Sequence, residues 1–396
     1  MKRKLLLVAS LLMIMALIVS GCGGAKTTEG EKQAADAGKV IKIATSSPLS
    51  GAQAAVGESI KLGAQMALEE KKAEFEKLGF KLELAPQDDQ ADPKMGVSVA
   101  EKLIADPSIL AVIGHYNSGV AIPSSEVYNT GNLAMVSPAN TAPKVTDRRL
   151  PTVNRICVRD DVQGPAGAGY AKDKLGVKSV FVIHDKTAYG QGLADEFKKE
   201  TEKLGLKVVG YEGITAGEVD FSAVLTKVGA FKPDMIYFGG MYPEAGIMVK
   251  QAREKGITAK YMGGDGLDSS EIVKIAGKNI TGLIYTTAAT DITKTAEGKA
   301  WAEQYKQKFG KNVESYSAYG YDAALVALNG IENLLKANGG KMPARQDVAA
   351  EIRKTADFKG IATTVTFDDK GDNKNAKVYF FEFKGETYPG ELIGEK

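Results

Sequence analysis

Ile109-Leu110-Ala111-Val112-Ile113, then Gly114-His115-Tyr116-Asn117, then a helix-spaced run from Ser118 to Tyr128, then Leu133-Ala134-Met135-Val136: this stretch decides the fold. Two short runs are apolar at every position and flank one helical segment. Strands that are apolar on both faces and joined through a helix belong to a parallel sheet covered on both sides. The same grammar extends upstream. Val40–Ala44 and Phe80–Leu84 read as strands, and Gly57–Phe75 and Pro93–Ala105 as helices. Pro93 stands at a first helical position, where its missing N–H costs nothing. After Asp160-Asp161 the alternation restarts. Pro165–Leu175, Gly190–Leu204, Phe221–Ala230 and Glu244–Lys255 are expected helices; Ser179–Ile183, Lys207–Gly210, Met235–Phe238 and Lys260–Met262 are expected strands. Two such runs with a break near residue 160 predict an α/β fold of two doubly wound lobes.

The remainder adds helices at Thr295–Phe309 and Tyr316–Lys336. Ala362–Phe367 and Lys377–Phe383 alternate around Asp368-Asp369-Lys370-Gly371-Asp372, which predicts an antiparallel hairpin. The acidic turn lacks the ligand spacing of an EF-hand, so it is read as a turn and not as a calcium loop.

Composition narrows the function classes. The chain has 396 residues, 44% hydrophobic and 25% charged, enough for two domains with cores of their own. Lys+Arg 51 against Asp+Glu 49 gives a net +2, without the basic excess of a nucleic-acid binder. Two histidines (His115, His184) and two cysteines (Cys22, Cys157) make no zinc cage. There is no G-x-S-x-G elbow and no G-x-x-x-x-G-K-[ST] phosphate loop. Gly164-Pro165-Ala166-Gly167-Ala168-Gly169 misses the dinucleotide spacing and reads as close helix packing. No catalytic residue, metal or cofactor is expected, and both histidines are expected to be structural.

The N-terminus reads as an address. Lys2, Arg3 and Lys4 precede an uncharged run, Leu5–Val19, as in an export signal. The run is short for a membrane span, which needs ~20 apolar residues. Val19-Ser20-Gly21-Cys22 resembles the bacterial lipoprotein signal, which implies cleavage after residue 21 and lipid on Cys22; the alternative is an ordinary secretory leader. Residues 22–39 then form the lipidated cysteine and a flexible tether, on a protein held at an extracytoplasmic membrane face. Cys157, the remaining thiol, is expected to be buried and inert.

In open α/β sheets ligands lie beyond the carboxyl ends of the strands. There the chain places Gly114–Gly119, with Ser118 at an expected N-cap; Ser137-Pro138-Ala139-Asn140-Thr141-Ala142-Pro143; His184–Gly190, with Tyr189; and Gly263-Gly264-Asp265-Gly266. Hydroxyls and free helix N–H groups suit a carboxylate, and one acid suits a cation. Together they fit a zwitterion, an α-amino acid.

Those stretches, with Asp88–Lys94, Gly213–Phe221, Phe238–Glu244 and Phe367–Asp372, closely resemble the branched-chain amino-acid-binding proteins, solute receptors of ABC importers with a type I periplasmic-binding-protein fold. The resemblance runs from about residue 40 to the last strands. It implies a two-lobed clamp with three crossovers: an N-lobe of 40–159 plus 287–361 and a C-lobe of 160–286 plus 362–396. It implies that Ser118, together with Ala139 and Thr141 on the separate loop that also carries Asn140, holds the ligand's head group. Tyr189 closes from the second lobe, and Asp265 pairs with the ammonium. Where relatives carry Glu, this chain has Asp265; where they carry aromatics it has Val56 and Met241. Ala91 and Asn117 replace a disulfide. Tyr116, Val56, Met241 and Tyr319 are the expected pocket walls. The function implied is delivery of a small aliphatic amino acid to a membrane permease by a monomeric receptor that is not an enzyme. The alternatives are an aromatic acid, amide or other small solute in the same fold, or a ligand sensor.

Overall fold

The computed structural model describes residues 39–396, so Cys22 and nearly all of the signal and tether segments lie outside the described residues. The first sheet has the order β2-β1-β3-β4-β5, all parallel. Its strands are β1 (Lys39–Ser47), β2 (Phe80–Asp88), β3 (Ile109–Gly114), β4 (Ala134–Ser137) and β5 (Val153–Arg155). Helices α1 (Ala54–Lys77), α2 (Pro93–Ala105) and α3 (Ser118–Thr130) and the short α4 (Lys144–Asp147) connect them. The pattern around residue 109 holds: β3 and β4 are buried at every position.

The second sheet follows the same logic. Helix α5 (Asp160–Asp173) leads into β6 (Ser179–His184), α6 (Gly190–Lys203), β7 (Lys207–Gly213), α7 (Ser222–Phe231), β8 (Met235–Gly239), α8 (Tyr242–Glu254) and β9 (Lys260–Gly263). Then come α9 (Glu271–Ala276) and β10 (Leu283–Thr287). Strands β7, β6, β8, β9 and β10 lie parallel in that order. Together the two sheets and their flanking helices make two doubly wound α/β lobes. The next helices return to the first: α10 (Ala296–Phe309), α11 (Ser315–Ala337), which packs along α1, and α12 (Arg345–Arg353), which packs against β3 and β4. Among the described residues no helix is long and apolar enough to cross a membrane.

Two expectations change. The spacing predicts a helix from Pro165, but α5 begins at Asp160, with Pro165 inside it. Arg159 O accepts from the N–H groups of Val162 and Gln163 and starts the first turn, where Asp160 and Asp161 favour the helix dipole. The terminal hairpin is formed only at its turn, where Phe367 and Asn373 make one antiparallel bridge, and its arms do not pair further. Residues Thr364–Val365 (β12) pair with Phe358–Lys359 (β11), whereas β13 (Tyr379–Glu382) lies antiparallel between β10 and β14 (Glu391–Glu395) in the second sheet. The apolar alternation is real, but the segments face different lobes.

What separates them is Asp372. Arg155, fully buried, donates through Nε to Asp372 Oδ1 at 2.5 Å, and Arg159 Nη1 donates to Oδ2 at 2.9 Å. Thr146 Oγ1 donates to Asp372 at 2.7 Å. Burial pushes this carboxyl up, but the two guanidinium groups outweigh it and hold it below the usual carboxylate range. The acidic turn is thereby pinned to the first sheet. Arg155 Nη1 also donates to the carbonyls of Asn140 and Ala142, both at 2.9 Å, and so fixes the loop after β4 from behind.

Removing one partner of a buried pair strands the other charge, which costs about 3–5 kcal/mol. Asp372→Ala should therefore lower urea-unfolding stability by about that amount. Asp369→Ala removes an exposed partner of Arg149 and should cost less than about 1 kcal/mol. Equal losses would mean that the buried pair is not what secures the turn.

Candidate functional site

The strand ends of both lobes converge on one buried seam. Asp265 follows β9 and is 2% exposed. Three neutral donors surround its carboxylate. Gln163 Nε2 and Tyr189 OH each donate to Oδ1 at 2.8 Å, and Tyr316 OH donates to Oδ2 at 2.7 Å. The donors come from α5, from the turn before α6 and from α11. Gln163 Oε1 in turn accepts from Asp265 N at 3.0 Å and from Thr286 Oγ1 at 2.8 Å, so one amide orients both the backbone and the side chain of the acid. Tyr189 OH accepts from Gly266 N at 2.7 Å. A Cβ on Gly266 would meet Gly240 O at 2.4 Å and Tyr189 Cε1 at 2.8 Å, so only glycine lets this loop pass so close.

A second acid lies beside the first. Asp160, at the start of α5, is fully buried; Gln163 Nε2 reaches its Oδ1 at 3.3 Å, and its Oδ2 has no partner. Burial, and next the Asp265 charge, hold the Asp160 carboxyl well above the usual range. Burial also raises Asp265, against the pull of Gln163, Tyr316 and Tyr189. Thr141 Oγ1, Tyr116 OH and Tyr237 OH are likewise buried without well-formed hydrogen bonds, and the Thr141 hydroxyl lies near enough to the Asp160 carboxylate to favour its ionised form.

The predicted residues divide by what they do. Ser118 is the first residue of α3 and not its cap; the cap position is Asn117, whose side chain makes no capping bond. Ser118 Oγ instead accepts from Ala142 N at 3.3 Å, tying α3 to the loop after β4. In that loop Ala139 N and Asn140 N both donate to Ser137 Oγ. The Asn140 side chain is spent within the protein: Oδ1 accepts from His115 N and Ser137 Oγ, and Nδ2 donates to Tyr116 O. Asn140 thus builds the loop. Thr141 O accepts from Asp160 N at 2.9 Å, which brings the free Thr141 hydroxyl to the lobe crossing. Val56 and Met241 are buried in α1 and just before α8. Tyr319 donates to Ala288 O, whereas Tyr316, one turn earlier on the same helix, reaches Asp265.

Both histidines are structural: His115 lies between Asp89 at 2.7 Å and Tyr128 OH at 3.1 Å, and His184 Nδ1 accepts from Lys186 N. Burial pushes the Cys157 thiol up, as for an inert cysteine. A surface cleft of about 860 Å³, lined by residues including Ser59, Leu62, Lys274 and Lys306, contains none of the predicted site residues.

Sequence reasoning missed Asp160, Gln163 and Tyr316. The first two were legible once the helix starts at Asp160, because positions three apart share a face. Nothing local marks Tyr316, whose role depends on α11 crossing to the other lobe.

The lobes meet elsewhere too. Tyr242 OH, at the start of α8, donates to Ala52 O at 2.6 Å. The start of α11 grips the Asp265 loop residue by residue: Ser270 N donates to Glu314 Oε2 at 3.0 Å, and Ser315 Oγ to Asp268 Oδ1 at 3.0 Å, beside the Tyr316–Asp265 bond.

Two raised, water-excluded acids with no basic group bonded to either, and with Arg155 acting on Asp160 only through its charge, favour a cation, and a cation favours their ionised forms. Cation binding should therefore release protons, and affinity should rise with pH above the ordinary carboxylate range, where the raised acids lose their protons. Calorimetric titrations in buffers of different ionisation enthalpy measure this; binding without proton release across that range would mean the pair is already ionised.

Comparison with known proteins gives a consistent picture. Residues 40–387 match the family model described as periplasmic binding protein. A Leu/Ile/Val-binding protein homolog 2 of Brucella abortus is 37% identical over 347 residues, 87% of this chain and 91% of that protein. The crystal structure of a leucine-binding protein, LivK, from Thermotoga maritima superposes with a TM-score of 0.79 at 32% identity, covering 90% of this chain and 98% of that one. The branched-chain amino acid substrate-binding protein LivJ of Streptococcus pneumoniae, solved with isoleucine, gives 0.81 at 25% identity, covering 90% and 99%.

Proposed function

The chain belongs to the periplasmic binding protein family, and from that premise we propose that it is the extracytoplasmic solute receptor of an ABC importer. It binds a small amino acid of branched-chain type between its lobes and hands it to a membrane permease. The observation that carries the reading is the acid pair: Asp160 and Asp265 lie sealed in the seam with only neutral donors on Asp265 and a free oxygen on Asp160. An ammonium group supplies the charge this site lacks. The unpartnered Thr141 hydroxyl and the Ser118 region supply polar contacts for the head group. Ligands that lack an ammonium, such as simple aromatic acids, leave both acids uncompensated. Val56 and Met241 offer an aliphatic frame for the side chain.

The lobes we assign are 40–159 with 287–361 and 160–286 with 362–396. The packing of α11 on α1 and the entry of β13 and β14 beside β10 support this division, except that the Asp368–Asp372 turn within 362–396 is held on the first sheet by Arg155 and Arg159. Ligand closes the lobes across the Tyr242–Ala52 contact, and no bond is made or broken in it. The names of the relatives, which include Leu/Ile/Val-binding proteins, support the ligand class. The signal-like N-terminus supports a lipid on Cys22 and a place outside the cytoplasm, where the receptor acts as a monomer.

A thermal-shift screen against the twenty amino acids should find a ligand that, at 100 times its Kd, adds about 2.7 kcal/mol of stability. Asp265→Ala should weaken that ligand by about 2 kcal/mol or more, roughly 30-fold, by removing a buried charge partner. An amino acid whose affinity ignores this substitution would detach the acid from the head group.

A further inference from the structure

Most polar groups at the seam are either matched within the protein or stand at the head-group end. Tyr116 is different. It is 3% exposed, it follows β3 on the first lobe, and its hydroxyl has no partner. Its position is tightly set. Asn140 Nδ2 donates to its carbonyl at 3.0 Å, and its ring meets that of Tyr316 edge-on with centroids 5.5 Å apart. Tyr316 is the residue whose hydroxyl touches Asp265. Tyr116 therefore stands one ring beyond the acid. Burial keeps its hydroxyl protonated, and Tyr242 and Asp265 are the groups that add most to this. Asp268 and Glu314 also lie on that side, but their carboxylates are occupied: Asp268 by Thr287, Ser315 and Tyr388, and Glu314 by Ser270.

A buried hydroxyl left unmatched destabilises the state that buries it. Tyr316 covers one side of the Tyr116 ring, and Val56 and Met241, the other expected walls of the side-chain pocket, are buried and apolar. We propose that the Tyr116 hydroxyl is a specificity determinant: it hydrogen-bonds a polar tip on the ligand's side chain, so that this receptor prefers a small amino acid bearing a hydroxyl or amide to its hydrocarbon isostere. The proposal rests on the reading that an amino acid fills the seam, and it narrows the ligand class within that reading. An aliphatic side chain of equal size fits the same frame but leaves the Tyr116 hydroxyl unmatched.

The test compares near-isosteric pairs on the full chain by titration calorimetry: L-threonine against L-valine, and L-asparagine against L-leucine. In the unmodified protein the polar member of at least one pair should bind roughly tenfold tighter, the effect of one matched buried hydrogen bond. Tyr116→Phe keeps the ring and removes only the hydroxyl. It should abolish that preference by weakening the polar ligand and leaving the apolar one unchanged or tighter. It should also leave the unliganded protein at least as stable to urea, since it removes an unmatched polar group. Two results would overturn the proposal: a polar-to-apolar affinity ratio that is the same in both proteins, or a clear loss of unliganded stability in Tyr116→Phe, which would show that the hydroxyl is matched within the fold. Failure of the underlying reading looks different, because then no amino acid binds either protein.

Discussion

Two carboxyl groups shut away from water at the seam, Asp160 and Asp265, organise this molecule. Their donors are tyrosine hydroxyls and one amide, which can orient negative charge but cannot neutralise it. Desolvating such charge is expensive unless a counter-charge arrives. Closure and cation binding are therefore one thermodynamic event. On the proposed reading, water serves the acids when the lobes are apart and a ligand's ammonium serves them when the lobes are together. A receptor built this way closes around a filled site more readily than around an empty one, because the ligand has differential affinity for the two states.

How much of this could be read beforehand depended on whether the signal was local. β3, α2 and the strand ends carrying Thr141, Tyr189 and Asp265 were legible, since apolar runs, a proline at a helix start and glycines at a turn act over a few residues. The start of α5 was not. Pro165 looks like a first helical residue, yet Arg159 and two aspartates begin the helix a turn and a half earlier, and the site residues Asp160 and Gln163 came into view only with that correction. The last strands were misassigned for a related reason. Alternation predicts strands but not partners, and the partner was decided by Asp372, whose arginines lie more than two hundred residues away in sequence. Tyr316 was hidden for the same cause: its helix packs on one lobe while its hydroxyl serves the other.

The grip between the start of α11 and the Asp265 loop links recognition to the frame. Glu314, Ser315 and Tyr316 hold Ser270, Asp268 and Asp265 in turn, so the acid cannot shift alone. Helix α11 runs along α1, which also carries Val56. The positions of Val56 and of the Asp265 carboxylate are thus set by one packed helix pair. A substitution in the α1–α11 interface can alter selectivity without touching a ligand.

The pairing of β10 with β13 bears on how the chain matures. Tyr285 lies opposite Phe381 in that ladder, nearly a hundred residues further along, with three helices built against the other lobe in between. Contacts this distant form slowly, because the loop they close must be ordered before they contribute. While the chain is being made, β10 therefore stays an open sheet edge until the final segment emerges. Neither lobe is a finished folding unit before the other. Such a protein stays incompletely folded until its last strands have been made.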